Sequence, residues 1–211
     1  MGAKRRSVLR RKPLRLPGYD YAHPGAYFLT ICSHRRLPLF GEAFEDRMRL
    51  NAFGQAVQAC WAELPQHFPH VELDAFIVMP NHVHGVILIH DLGRQNAAPE
   101  NVGATHASPL PKRASGPRPR SLASIAGSLK SAATRRINQL RGTPGAPVWQ
   151  RNYYEHIIRD EAALNRIRAY IQTNPQRWHF DVENPARLAT DDFDQWLRAQ
   201  GGRPLAKGDL P

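Results

Sequence analysis

Two histidines one residue apart, His82 and His84, have the types and spacing to hold a metal ion together. They lie in residues 76–89, FIVMPNHVHGVILI, where two apolar runs flank Pro80-Asn81. Proline pre-sets a turn φ and asparagine tolerates the left-handed conformation often needed next, so a tight antiparallel hairpin is predicted. Strand side chains alternate faces. His82 and His84 therefore point one way, about 7 Å apart along the strand, and Val83 points the other. A metal held there can polarise a phosphoryl oxygen and offset developing charge. The motif is short, and two histidines hydrogen-bonded at a sheet end satisfy it equally well.

A second pair falls at helical spacing. Tyr170 and Asn174 are four residues apart, about 40° around a helix axis. Leu164, Ile167 and Ile171 form the stripe that faces a sheet, and Tyr170 and Asn174 lie on its flank. From a flank they can meet a metal-bearing sheet edge while staying open to nucleic acid.

The elements that must position these groups follow from periodicity and caps. Residues 26–33 (AYFLTICS) read as a first strand, with Arg35 and Arg36 directly after it where phosphates could be met. Residues 37–40 read as a short edge segment and 47–64 as a first long helix, weakened by Gly54. Residues 71–79 form a second strand, and the histidine strand runs to about residue 90. Residues 121–140 form a helix capped by Ser121 and stopped by Gly142, with Lys130, Arg135 and Arg136 among its charges. These charges suit either a solvated face or a phosphate-binding one. Residues 153–159 read as a strand. Asp160 caps a helix over 161–173, ended by Asn174-Pro175. Thr190 caps a short terminal helix that packs on the domain or meets DNA. The order β-α-β-β-α-β-α predicts an α+β ferredoxin-like sandwich, an antiparallel sheet with helices on one face.

The 211 residues carry a net charge of +11 and a pI near 10.3, which favours a polyanionic partner such as nucleic acid. No apolar run approaches membrane-spanning length, so no membrane association is expected. Cys32 and Cys60 read as buried free thiols, in keeping with a reduced, cytoplasmic, nucleoid-associated setting. Residues 1–16 read as a basic arm, 17–182 as one domain, and 183–211 as a C-terminal extension. Residues 91–119 are Pro-, Ala-, Gly- and Asn-rich and aperiodic, which predicts a disordered insertion with a basic end at Lys112, Arg113, Arg118 and Arg120, more a solvated loop than a DNA contact. His106 within it reads as a bystander.

The string MPNHVHGVI closely resembles the His-hydrophobe-His motif of single-tyrosine HUH transposases, in particular the REP-associated tyrosine transposases. Residues 149–175, WQRNYYEHIIRDEAALNRIRAYIQTNP, resemble the second hallmark of that family. The likeness spans roughly residues 19–182. It implies the HUH fold, which is of the same ferredoxin-like class. It also implies His82 and His84 as metal ligands, a third ligand from the helix that carries the nucleophile, and Tyr170 as that nucleophile. Asn174 would then supply the third, oxygen ligand. The cofactor would be Mg²⁺ or Mn²⁺, with weak Mg²⁺ affinity and equal or better activity with Mn²⁺, since imidazole suits later metals. The implied activity is a single-stranded DNA endonuclease and strand transferase. It would act at hairpin-forming palindromic repeats through a 5′-phosphotyrosine. A monomer is expected, with a dimer as the alternative.

Trp149, Tyr153 and Tyr154 could stack on unpaired bases, although core packing is expected of at least one. Glu155 and His156 match an acidic-His pattern of the family without an assigned role. Two other readings stay open from the residues alone: a non-catalytic nucleic-acid binder on the same fold, and a phosphodiesterase using a metal-bound water.

Overall fold

A computed structural model describes residues 21–91, 118–189 and 191–200. The arm at 1–16, Lys112, Arg113, His106 and Thr190 lie outside them, as does nearly all of the aperiodic insertion. Among the described residues, six strands and five α-helices are formed in the order β1 (Gly25–Cys32), β2 (Gly41–Phe44), β3 (Arg47–Leu50), α1 (Ala52–Ala62), α2 (Leu64–His67), β4 (Val71–Val78), β5 (His82–Ile89), α3 (Leu122–Leu140), β6 (Tyr154–Ile158), α4 (Glu161–Thr173) and α5 (Asp192–Ala199).

Four strands form one antiparallel sheet in the order β4-β5-β1-β6. With α1 and α3 as the two crossovers, this is the ferredoxin-like arrangement expected of the element order. Leu29, Ile31, Val83 and Ile87 point to the α1/α3 face and join Trp61, Leu129 and Ile137 in one core. Phe28, Val86 and Ile158 point the other way and join Leu164, Ile167 and Ile171 of α4 with Phe193 and Leu197 of α5. The expectation of helices on one face is thus corrected: α4 and α5 cover the second face. Period-2 alternation makes both faces of these strands apolar enough to need a lid.

Local chemistry explains the boundaries. Ser121 Oγ accepts from Ser124 N at 3.3 Å, and Asp160 Oδ1 from Ala163 N at 2.7 Å, fixing the starts of α3 and α4. The helix predicted over 47–64 is shorter. Residues Arg47–Leu50 pair with Gly41–Phe44 as a hairpin instead, turning on Glu45 and Asp46 at φ 47° and 62°, the two left-handed positions of a two-residue turn. Asn51 then caps α1, accepting from Phe53 N and Gly54 N. A Cβ on Gly54 would lie 2.2 Å from Phe40 O, so this glycine admits the preceding loop against the helix. Residues 37–40 form no strand, and Phe40 is wholly buried. Among the described residues no helix is long and apolar enough to cross a membrane.

Candidate active site

The β4–β5 hairpin turns on Pro80-Asn81 as predicted, with Met79 N donating to His82 O at 2.8 Å. Asn81 does not take the left-handed conformation expected of it; its side chain is used instead. Asn81 Nδ2 donates to Arg36 O (3.2 Å) and Glu183 O (2.8 Å). Two carbonyls on the nitrogen fix the amide orientation and aim Oδ1 at His82 Nδ1, 2.9 Å away. An amide oxygen only accepts, so His82 carries its proton on Nδ1 and leaves Nε2 with a free lone pair. On the next residue facing the same way, His84 Nδ1 lies 2.9 Å from Thr30 Oγ1 of β1. The two Nε2 atoms are 2.9 Å apart. At that separation one electrophile must sit between two lone pairs: a proton on His84, or a metal ion.

Burial drives the His82 pKa down to about 3, so its imidazole is neutral at ordinary pH, the form that ligates metals. Asp181 brings a carboxylate to the same point, its Oδ2 lying 3.8 Å from His82 Nε2 and 3.7 Å from His84 Nε2. Burial alone would raise the Asp181 pKa. The neighbouring His82 and His84 and the donated Asn174 amide outweigh it and hold the carboxyl well below the usual range. His82, His84 and Asp181 are a buried group that can hold a metal ion. Two imidazoles and a carboxylate suit Mn²⁺ and later transition metals better than Mg²⁺.

Helix α4 delivers the remaining groups. Arg168 clamps it to β4 with a bidentate pair to Asp74 (2.9 and 2.6 Å), at the point where the β4–β5 register shifts. Two residues on, Tyr170 Oη donates to Asp181 Oδ2 at 3.0 Å and lies 3.4 Å from His84 Nε2. Burial first, and the Asp181 charge second, raise its pKa well above that of an ordinary phenol. Asn174 Nδ2 donates to Asp181 Oδ2 at 2.8 Å, while its own buried Oδ1 has no hydrogen-bond partner.

His82, His84, Tyr170 and Asn174 are therefore brought to one place. Sequence reasoning missed Asp181, whose carboxylate joins His82 and His84 in the group that can hold a metal ion. It sits in an aperiodic stretch seven residues beyond Asn174, and only that nearness could have pointed to it.

The flank of α4 is closed rather than open. Tyr170 is 4% exposed. Phe193 of α5 stacks on its ring with centroids 3.6 Å apart and planes 7° from parallel. Residues 182–183 are strapped across by Arg36, which pairs with Glu183 (2.8 Å) and donates to Val182 O.

The basic and aromatic candidates are dispersed. Arg35 is exposed, at φ 54°. Arg36 is buried in its pair with Glu183, so it serves the scaffold, not a phosphate. Arg136 pairs with Glu63 at 2.6 Å, and Lys130 Nζ is taken up by the carbonyls of Gln150 and Arg151. Arg135 is exposed. Tyr154 is buried on the α4/α5 face, whereas Tyr153 packs at the margin of the other core.

The fold and site together define an α+β protein with a buried two-histidine, one-carboxylate group beside a tyrosine. The chain is 38% identical over 172 residues to an uncharacterized protein of Haemophilus influenzae, covering 81% of this chain and 91% of that one, and it belongs to the same family. No family model matches it. The similar solved structures include these two. One is a REP-associated tyrosine transposase bound to a REP hairpin (16% identity, 80% of this chain and 74% of that one, TM-score 0.49). The other is a candidate transposase of Deinococcus radiodurans (18%, 75% and 95%, TM-score 0.40).

Proposed function

We propose that the chain is a metal-dependent single-stranded DNA endonuclease and strand transferase of the REP-associated tyrosine transposase type. In this reading Tyr170 is the nucleophile, and the substrates are hairpin-forming palindromic repeats. The observation that carries it is the convergence of Tyr170 Oη, His82 Nε2, His84 Nε2 and Asp181 Oδ2 around one point. The two motif blocks supply the class, and the net charge of +11 supplies the attraction to DNA.

His82, His84 and Asp181 would hold the metal, which when bound polarises a phosphoryl oxygen. Asn81 and Thr30 orient the imidazoles from behind, as outer partners of metal-ligating histidines do. Asp181 Oδ2 accepts the phenolic hydrogen bond in the resting site. As Oη attacks phosphorus its proton passes to water, the bond to the 3′ oxygen breaks, and that oxygen takes up a proton from water, leaving a 5′-phosphotyrosine and a free 3′-OH. The retained ester energy allows a later hydroxyl to rejoin the strand. Because Phe193 covers Tyr170, DNA reaches the phenol only when α5 lifts away.

A second reading, a binder without catalysis, is favoured by one observation: a proton between His82 and His84 satisfies both rings without a metal. Mn²⁺ titration and nicking of a labelled repeat hairpin separate the two. The parent is expected to bind Mn²⁺ and nick. His82→Ala and His84→Ala should each lose both activities and keep most DNA affinity, which rests on phosphate contacts. Unchanged nicking by either variant contradicts the assignment.

A further inference from the structure

We propose that a groove between α3 and residues 144–151 seats an unpaired nucleotide of single-stranded DNA, as a site separate from the His–Tyr cluster. The choice of ligand rests on the DNA-processing reading; the groove itself does not.

The groove encloses about 670 Å³, within the range of small-molecule sites. Pro147 and Trp149 give it an apolar, aromatic side, Arg135 and Asn138 line it from α3, and Gln150 and Arg151 line it as well. Its loop wall is built in place by α3. Lys130 Nζ donates to Gln150 O (2.6 Å) and Arg151 O (2.9 Å), Asn138 Nδ2 to Ala146 O (3.0 Å), and Arg141 to Ala146 O (3.1 Å). A lysine buried enough to have its pKa lowered by desolvation is thereby committed to holding a wall.

Two features specify the occupant. Trp149 is 7% exposed, and its Nε1 has no hydrogen-bond partner; nor has Gln150 Nε2. Buried donors are nearly always paired; these two are hidden from solvent in the free chain, so each meets an acceptor in the groove only by a shift of its side chain. Arg135 and Arg151 are exposed, and no carboxylate among the described residues lies within ion-pair distance of either. Acceptor atoms on a flat ring, joined to a phosphate, answer both demands, and ring stacking with guanidinium contact is how unpaired bases are held.

The groove also lies within reach of the cluster. Trp149 bridges to Ser33, Gln150 N donates to Cys32 O at 3.0 Å, and Cys32 is the register partner of His82. Two strand spacings, about 10 Å, separate the groove's backbone from that of His82. The histidines face α4 and the groove faces α3, so a bound strand would pass around the end of the sheet.

The test uses the full chain without metal, so that no cleavage intervenes, and two probes: a repeat hairpin carrying a single-stranded flank, and the same hairpin blunt. The double variant Arg135→Ala/Arg151→Ala is expected to lose about tenfold in affinity for the flanked hairpin and clearly less for the blunt one. Irradiation of a flank carrying 5-iodouracil should crosslink the parent on the peptide containing Trp149. Trp149 itself is left intact because it packs on Phe40 at 4.9 Å. Equal losses on both probes, or crosslinks confined to other peptides, overturn the proposal. Nicking with Mn²⁺ is scored separately, so a parent that nicks but crosslinks elsewhere refutes the groove alone. A parent that crosslinks at Trp149 but never nicks refutes the catalytic reading alone.

Discussion

On the face toward α1 and α3, β5 presents Val83, Gly85, Ile87 and Ile89; toward α4 it presents His82, His84, Val86 and Leu88. The first set packs as hydrocarbon. A Cβ on Gly85 would lie 2.4 Å from the Trp61 ring, so the missing side chain lets Trp61 lie on the strand, stacked on Phe76 at 4.3 Å and 9°. The second set is surrounded by buried polar groups, among whose atoms Tyr154 Oη, Asn174 Oδ1, Asp191 Oδ2 and Asp194 Oδ2 have no hydrogen-bond partner. Unpaired buried polar atoms cost stability. One sheet thus carries an ordinary core on one side and a site whose unmet polarity the core must offset on the other.

The contrast breaks most visibly at Trp61. Trp61→Ala should lower unfolding free energy by about 3–5 kcal/mol, the cost of emptying a large aromatic site, as read by urea denaturation. A loss no greater than that of a surface substitution, within about 0.5 kcal/mol, would show that the α1/α3 face is not the stabilising one.

Asp194 tests the other face. Burial first, then the charges of Asp181 and Asp191, push its pKa from 3.8 up to about 7. Between those values the folded chain keeps a proton that the unfolded chain has released. The contribution of this carboxyl is therefore fully present below about pH 4 and is lost as pH rises to about 7. His82 and His156 act in the opposite sense. Burial lowers their pKa values from 6.5 to about 3 and about 4, so their contribution is present above 6.5 and is lost as pH falls. Asp194→Asn removes only the first effect. The stability of the variant relative to the parent should rise from pH 4 to 7 and level off above. A difference independent of pH would contradict the buried, unpaired carboxyl.

The smallest effect is expected outside the described residues. Replacing residues 92–117 with a short Gly/Ser linker should leave unfolding free energy and nicking nearly unchanged, because loop length costs little free energy. A large loss of nicking alone would place that segment over the site or the DNA.

What the sequence disclosed was carried by short-range signals. The Pro80-Asn81 hairpin, the alternation that pairs His82 with His84, and the Ser121 and Asp160 caps are all written within a few residues, and the sheet class follows from their order. The hairpin Gly41–Leu50 was hidden because Arg47–Leu50 runs into a helical pattern, and only pairing with Gly41–Phe44 makes it a strand. Asp181, the Arg36–Glu183 strap and the Phe193 cover were not legible. Each meets its partner across a long stretch of chain or from an aperiodic segment, and no spacing rule reports such meetings. Asn81 stood inside the motif and was read only for its backbone, while its side chain sets the His82 tautomer.

The convergence of Tyr170 with the histidine pair is tested most directly by the covalent product. Incubation of the parent with end-labelled repeat hairpin and Mn²⁺, followed by denaturing electrophoresis and mass spectrometry, should give a protein–DNA adduct on Tyr170. Tyr170→Phe, which removes one oxygen and keeps the ring against Phe193, should retain DNA binding and lose the adduct, while Tyr153→Phe and Tyr154→Phe keep it. An adduct that persists in Tyr170→Phe and maps to Tyr153 or Tyr154 would contradict the account.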